Sequence, residues 1–336
     1  MTKRSPLPAV VGLLLLALIA GLLASAPTAS AADPGSRLPV AAKVKPGQDF
    51  PTLPPRCASR KDKIPPEPVV CQLNGFDAAK PTVLLWGDSH SWMFIPALKK
   101  AIAGRGVNLV AVMMGSCPPM DNQTTPTSKV PACYRSNALG IDAARRLQAS
   151  GRPYRIVLVS SWQRYVHALQ VRDTTSYVGT MALAMREGTP RLVRTLRSIG
   201  SPVDVVGQVA TVPVKHRRCA KGNLPFACRL PRKASLPGEG VTRRYVQRTF
   251  APLLGSRAAI NVNRTICNAR WCQGKIGSIR TWFDDLHLSA TRSATMSSYF
   301  AGTVEAVAPA RRTTSTDPTA SPTEEPGGSC FPLLPC

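Results

Sequence analysis

Short apolar runs alternate with segments of helical period between residues 82 and 307, and this alternation limits the fold more than any other property of the chain. The runs fall at residues 82–86, 107–114, 155–160 and 203–209, with a weaker fifth at 258–262. They are near-continuously apolar, as strands buried on both faces are. Between them, residues 93–103 carry Phe94, Ala97, Leu98 and Ile102 at helical spacing. Residues 137–149 do the same with Leu139, Ala143 and Leu147, and residues 189–199 with Leu192, Val193 and Leu196. Residues 290–307 read as a closing helix. The alternation predicts an α/β fold, a three-layer α/β/α sandwich around a central parallel sheet. The 336 residues, 44% of them hydrophobic, suffice for one core of that size.

The two ends read differently. Lys3 and Arg4 precede an apolar run from Ala9 to Leu23, followed by Ala29, Ser30 and Ala31. Residues 1–31 are therefore expected to be a secretory signal peptide, with an uncleaved anchor as the alternative. No other run approaches the ~20 apolar residues of a membrane helix, so no span is expected after cleavage. Residues 32–80 are rich in Pro and lack strand or helix period; they are expected to be a lead-in to a domain at 81–308. Residues 309–336, dominated at first by Thr, Ser, Pro and Glu, are expected to be disordered.

All ten cysteines follow the expected cleavage site, which in an exported chain points to disulfides. Proximity suggests Cys57 with Cys71, Cys117 with Cys133, Cys219 with Cys228, Cys267 with Cys272, and Cys330 with Cys336. Zinc at His216 and Cys219 is the rival, but there is no Cys-x-x-Cys pair, and neither metal nor cofactor is expected. The balance of 43 Lys and Arg against 18 Asp and Glu, a formal +25, favours polyanionic partners. The cations are scattered, densest at residues 215–218 and 243–244, and no aromatic-rich stacking segment accompanies them. With export, this argues against nucleic acid and leaves an envelope polymer or a plain solvated surface.

The first run stops on Gly87-Asp88-Ser89-His90, and Trp282-Phe283-Asp284-Asp285-Leu286-His287-Leu288-Ser289 follows nearly two hundred residues later. In a parallel sheet, ligands bind beyond the carboxyl ends of the strands, where Ser89 would stand. A serine hydroxyl needs a base to become nucleophilic, and a histidine oriented by a carboxylate supplies one. Of the four histidines, His90 adjoins Ser89, His167 has no nearby downstream carboxylate and His216 lies in a basic loop. His287 alone has close carboxylates, Asp284 and Asp285. The bland alternative is that Asp88 or Ser89, and Asp284, merely cap the helices that follow them.

The pair Gly87-Asp88-Ser89-His90 and Asp284-x-x-His287-Leu288-Ser289 resembles the SGNH/GDSL hydrolase superfamily. More narrowly, it is similar to the SGNH domains fused to membrane acyltransferases that O-acylate bacterial surface polysaccharides. Cys117-Pro118-Pro119, Trp162-x-x-Tyr165 and Cys267-x-x-x-x-Cys272 also resemble that subfamily. The likeness covers roughly residues 71–307 and implies a flavodoxin-like sheet. It implies Ser89 as nucleophile, His287 as general base and acid, and Asp284 rather than Asp285 as the orienting carboxylate. The oxyanion would be held by the Ser89 N–H and a donor at Gly115-Ser116. The superfamily's third block carries an Asn that is absent here; Gln163, in what reads as a loop at residues 160–165, would replace it, or Trp162 and Tyr165 would simply wall the pocket.

The resemblance implies a secreted or envelope-associated serine esterase or O-acyltransferase, acetyl the expected acyl group, acting on an acylated carbohydrate or cell-envelope polymer. Transfer would draw on a separate membrane acyltransferase. A non-catalytic polysaccharide-binding scaffold with the same fold is the alternative, favoured by the missing Asn.

Overall fold

The computed structural model describes residues 46–58, 64, 68–121, 131–221 and 228–308. The expected signal peptide, the expected tail and the Cys330–Cys336 pair lie outside these residues.

In chain order the elements are β1 (Val69–Gln72), β2 (Thr82–Gly87), α1 (Ser89–Trp92), α2 (Ile95–Ile102), β3 (Asn108–Met113), α3 (Pro131–Ala149), β4 (Tyr154–Val159), α4 (Trp162–Gln170), α5 (Tyr177–Ile199) and β5 (Val203–Val205). There follow α6 (Arg218–Lys221), β6 (Arg229–Pro231), α7 (Arg232–Ser235), α8 (Glu239–Leu254), α9 (Asn263–Ile266), β7 (Trp271–Gln273), β8 (Lys275–Ile276), β9 (Ile279–Arg280), α10 (Ala290–Ala294) and α11 (Ala301–Glu305). The main sheet has the order β1-β3-β2-β4-β5. The pairs β3–β2, β2–β4 and β4–β5 are parallel.

Side chains alternate across this sheet into two apolar layers. Val83 and Leu85 of β2, with Leu109, Ala111 and Met113 of β3, join α2, α11 and the 3-10 turn Ser297–Phe300. Leu84 and Trp86, with Val110 and Val112, join α3, α4, α5 and α8. The fold is thus an α/β/α sandwich. Its parallel strands run in the flavodoxin-like order, with Ile260 bridging Val206 as the remnant of a fifth strand. The chain leaves β2 toward β3 and returns on its other side to β4, so the reversal of strand order lies at β2.

Several expectations need correction. The sheet is mixed: β1 adds antiparallel to β3, with Cys71 opposite Ala111. β1 belongs to the supposed lead-in, which also buries Leu53 and sets Asp49 to accept from the Thr291 N–H. The folded body therefore starts well before residue 81; a four-residue edge strand among prolines is too short to display a period. The run at 203–209 is a strand only as far as Val205, and 258–262 reduces to the single bridge. The closing helix is broken into α10, a 3-10 turn and α11, which still bury Met296, Phe300 and Val304 on one side.

The disulfides join Cys57 to Cys71, Cys117 to Cys133, Cys219 to Cys228 and Cys267 to Cys272, as proximity suggested. The sulfur that zinc would have shared with His216 is thereby engaged. No helix among the described residues is long and apolar enough to cross a membrane.

Candidate active site

β2 ends on Gly87 because nothing larger fits: a Cβ there would lie 1.7 Å from the Val159 carbonyl oxygen of β4. Asp88 then caps α1, accepting from the His90 N–H at 2.8 Å through Oδ1. Its Oδ2 accepts from Ser160 Oγ at 2.7 Å, the Ser161 N–H at 2.9 Å and Tyr165 Oη at 3.2 Å. A carboxylate that is 1% exposed is thus satisfied by four donors, three from the start of the α4 region. The cap reading holds for Asp88, which frees Ser89, half-buried at the first position of α1, from that task.

The second motif is built locally. Asp284 Oδ1 accepts from the backbone N–H groups of Leu286 at 2.8 Å and His287 at 2.7 Å. Its Oδ2 meets His287 Nδ1 at 2.7 Å. The three-residue spacing lets one carboxylate fold the turn with one oxygen and grip the imidazole with the other. Burial raises the Asp284 carboxyl, but the His287 hydrogen bond and charge and the two N–H groups outweigh it, holding it below the ordinary range. With Nδ1 against this carboxylate, the neutral ring carries its proton there and leaves Nε2 as an acceptor. Nε2 is buried and without a partner among the described residues.

Asp285 turns elsewhere, pairing with Arg217 Nε at 2.7 Å, while its carbonyl accepts from the Val212 N–H. The helix cap after the motif is Ser289, whose Oγ accepts from the Arg292 N–H at 3.0 Å, and not Asp284 or His287.

The two motifs meet. The rings of His90 and His287 lie 5.4 Å apart, and Trp92 presents an edge contact to His287 at 5.9 Å. Phe283 stacks on His287 at 5.7 Å, and Phe50 closes against Phe283 and Trp92. His90 is fully buried with neither ring nitrogen bonded among the described residues, and desolvation lowers it to about 4 despite the pull of Asp88. It is neutral at ordinary pH and adds no charge beside His287.

The oxyanion candidates occupy different settings. Gly115 follows β3 next to Ser116, which takes a left-handed φ of 59°. Gln163 is not on a loop: it sits in the first turn of α4, buried, with Nε2 donating to the Val209 carbonyl at 3.3 Å. Its Oε1 has no partner among the described residues. Trp162 and Tyr165 brace the framework, Trp162 through Nε1 to the Val206 carbonyl at 2.8 Å and Tyr165 through Asp88. Sequence reasoning missed the Ser160, Ser161 and Tyr165 cradle; the signal available was an acid at a strand end opposite a Ser-Ser-Trp-x-x-Tyr segment at the next strand's end.

A comparison with curated proteins finds no match. The family described as SGNH domain (fused to AT3 domains) matches residues 56–302, a span that opens before β1, closes within α11 and holds both motifs. The chain therefore belongs to this SGNH family and has its hydrolase or acyltransferase type of fold.

Proposed function

We propose that the chain is an exported serine esterase or O-acyltransferase that acts on an acylated carbohydrate of the cell envelope, with acetyl as the acyl group. The observation that carries the reading is the Asp284–His287 pair: Nδ1 is held by a carboxylate, Nε2 is left without a partner, and the ring packs against His90, the residue after Ser89.

In this reading Ser89 Oγ gives its proton to His287 Nε2 and attacks the ester carbonyl. The tetrahedral oxyanion is met by the Ser89 N–H and a donor at Gly115, with Gln163 the third candidate. His287 returns the proton to the departing sugar oxygen, and an acyl-Ser89 ester remains. Water or a second sugar hydroxyl, deprotonated by His287, then takes the acyl group. Asp284 holds the tautomer and stabilises the imidazolium. Transfer would use a separate membrane acyltransferase as the source of acyl groups.

Hydrolysis of p-nitrophenyl acetate by wild type and Ser89→Ala tests this. We expect a drop on the order of 10⁶-fold in kcat with an unchanged melting temperature. A fluorophosphonate probe should label the wild type at Ser89. Equal rates and no label on folded protein would leave the second reading, a polysaccharide-binding scaffold. That reading draws on one observation, the Gln163 amide spent on a backbone carbonyl where the family offers an Asn.

A further inference from the structure

The chain contains five tryptophans, and four of them are in the core: Trp86, Trp92, Trp162 and Trp282 are at most 4% exposed. Trp271 is 40% exposed. It stands on β7, which pairs with β6 and is clamped at its base by the Cys267–Cys272 disulfide. The Asn268 side chain accepts from the N–H groups of both Arg270 and Trp271, so the platform is held rigid before anything binds.

Beside Trp271 runs an open groove of about 700 Å³. Its walls carry Arg232, Lys233, Arg244 and Arg270, with Glu239 the acid among its lining residues. Glu239 is already neutralised, its carboxylate gripped by Arg232 at 2.5 and 3.0 Å. Lys233, Arg244 and Arg270 are exposed and form no ion pair among the described residues. An aromatic face with unbalanced cations around it suits a ligand that offers both apolar ring faces and negative charge. The size exceeds what one small anion needs.

The groove is tied to the catalytic end. The Ser235 carbonyl accepts from the Thr211 N–H at 2.9 Å, and the Pro237 carbonyl from Gln208 Nε2 at 3.1 Å. One residue beyond Thr211, the Val212 N–H donates to the Asp285 carbonyl at 2.8 Å, next to Asp284. A single segment after β5 thus links the groove rim to the His287 turn.

We infer that this groove holds a uronate-bearing glycan strand, one ring on Trp271 and carboxylates on Lys233, Arg244 and Arg270, and so selects the polymer presented to Ser89. The inference rests on the proposed reaction for its purpose but not for its test. Nucleic acid is the competing polyanion, but a lone tryptophan offers no succession of stacking faces.

The test titrates the full chain carrying Ser89→Ala with an oligogalacturonate, a neutral glucan oligomer of equal length and a single-stranded oligonucleotide, read by calorimetry and tryptophan fluorescence. Because the other tryptophans are buried, a change in the exposed component of emission reports Trp271. The oligogalacturonate should bind, with a salt-dependent affinity, and shift that emission. Trp271→Ala should abolish the shift and weaken binding about tenfold. Arg244→Gln, on exposed α8 surface away from the hairpin, should weaken binding with the same melting temperature. Equal affinity for the neutral oligomer, tighter binding of the oligonucleotide, or unchanged calorimetric affinity in both variants would overturn the inference. Hydrolysis of p-nitrophenyl acetate by the wild-type chain, measured beside the titration, separates the two readings: groove binding without hydrolysis removes the triad alone, and hydrolysis without groove binding removes the groove alone.

Discussion

The turn at Ser89 and the turn at His287 face one another but are held in opposite ways. The first is continuous with the sheet: Gly87 touches β4, and the Asp88 carboxylate gathers donors from the end of β4 and from α4. The second is folded by a carboxylate from within the turn, that of Asp284, a side chain that is 41% exposed. Damage at the first turn should therefore propagate into stability, and damage at the second should stay chemical.

The largest expected separation is at Asp284. Asp284→Asn can keep the turn but loses the charge that orients His287, so kcat for p-nitrophenyl acetate should fall on the order of 10⁴-fold while the denaturation midpoint barely moves. A midpoint that falls with the activity would break the contrast. Asp88→Asn should do the reverse. Either amide orientation sets an NH₂ against donors, the His90 N–H on one side or Ser160, Ser161 and Tyr165 on the other. Urea denaturation should record a loss of about 3 kcal/mol, with activity falling only as Ser89 is displaced.

His90 sharpens the comparison through pH. Its folded value of about 4 lies below the ordinary 6.5, so between these values the unfolded chain takes up the proton that the native state refuses. Stability due to this group is complete above pH 6.5 and declines as pH falls toward 4, by roughly 3 kcal/mol in all. His90→Gln should remove that part of the slope in denaturation midpoints measured from pH 7 to 4. Asp88, His287, Asp284 and Arg164 also act on His90, so the difference between wild type and variant is the quantity to read. An unaltered slope would place the acid sensitivity elsewhere. The smallest effect belongs to Asp285→Asn, whose partner Arg217 is 55% exposed: less than about 1 kcal/mol and little change in kcat.

What the sequence made legible follows burial. β2, β3 and β4, covered on both faces, appear as unbroken apolar runs and were read nearly to the residue. α8 went unread because its sequence carries Arg243, Arg244, Gln247 and Arg248 and buries only Thr242, Val246, Phe250 and Leu254 along one side. α4 looked like a loop because Ser-Ser-Trp-Gln-Arg-Tyr has no obvious period until Trp162 and Tyr165 are seen turned inward. At the site, the Asp-x-x-His spacing announced a local contact that needs no tertiary information. The role of Asp88 could be read only in part, since its cap on the His90 N–H is local but its other three donors are more than seventy residues away.

The borders of the sheet carry a consequence for behaviour in concentrated solution. On one side stands β1, four residues long and tethered through Cys71 to Cys57; on the other stands β5, three residues long and continued by a single bridge. Neither border offers a long unpaired ladder on which a second chain could template itself. Resistance to edge-to-edge aggregation on the β1 side is thus reinforced by an oxidised cysteine pair, and production under reducing conditions removes that tether.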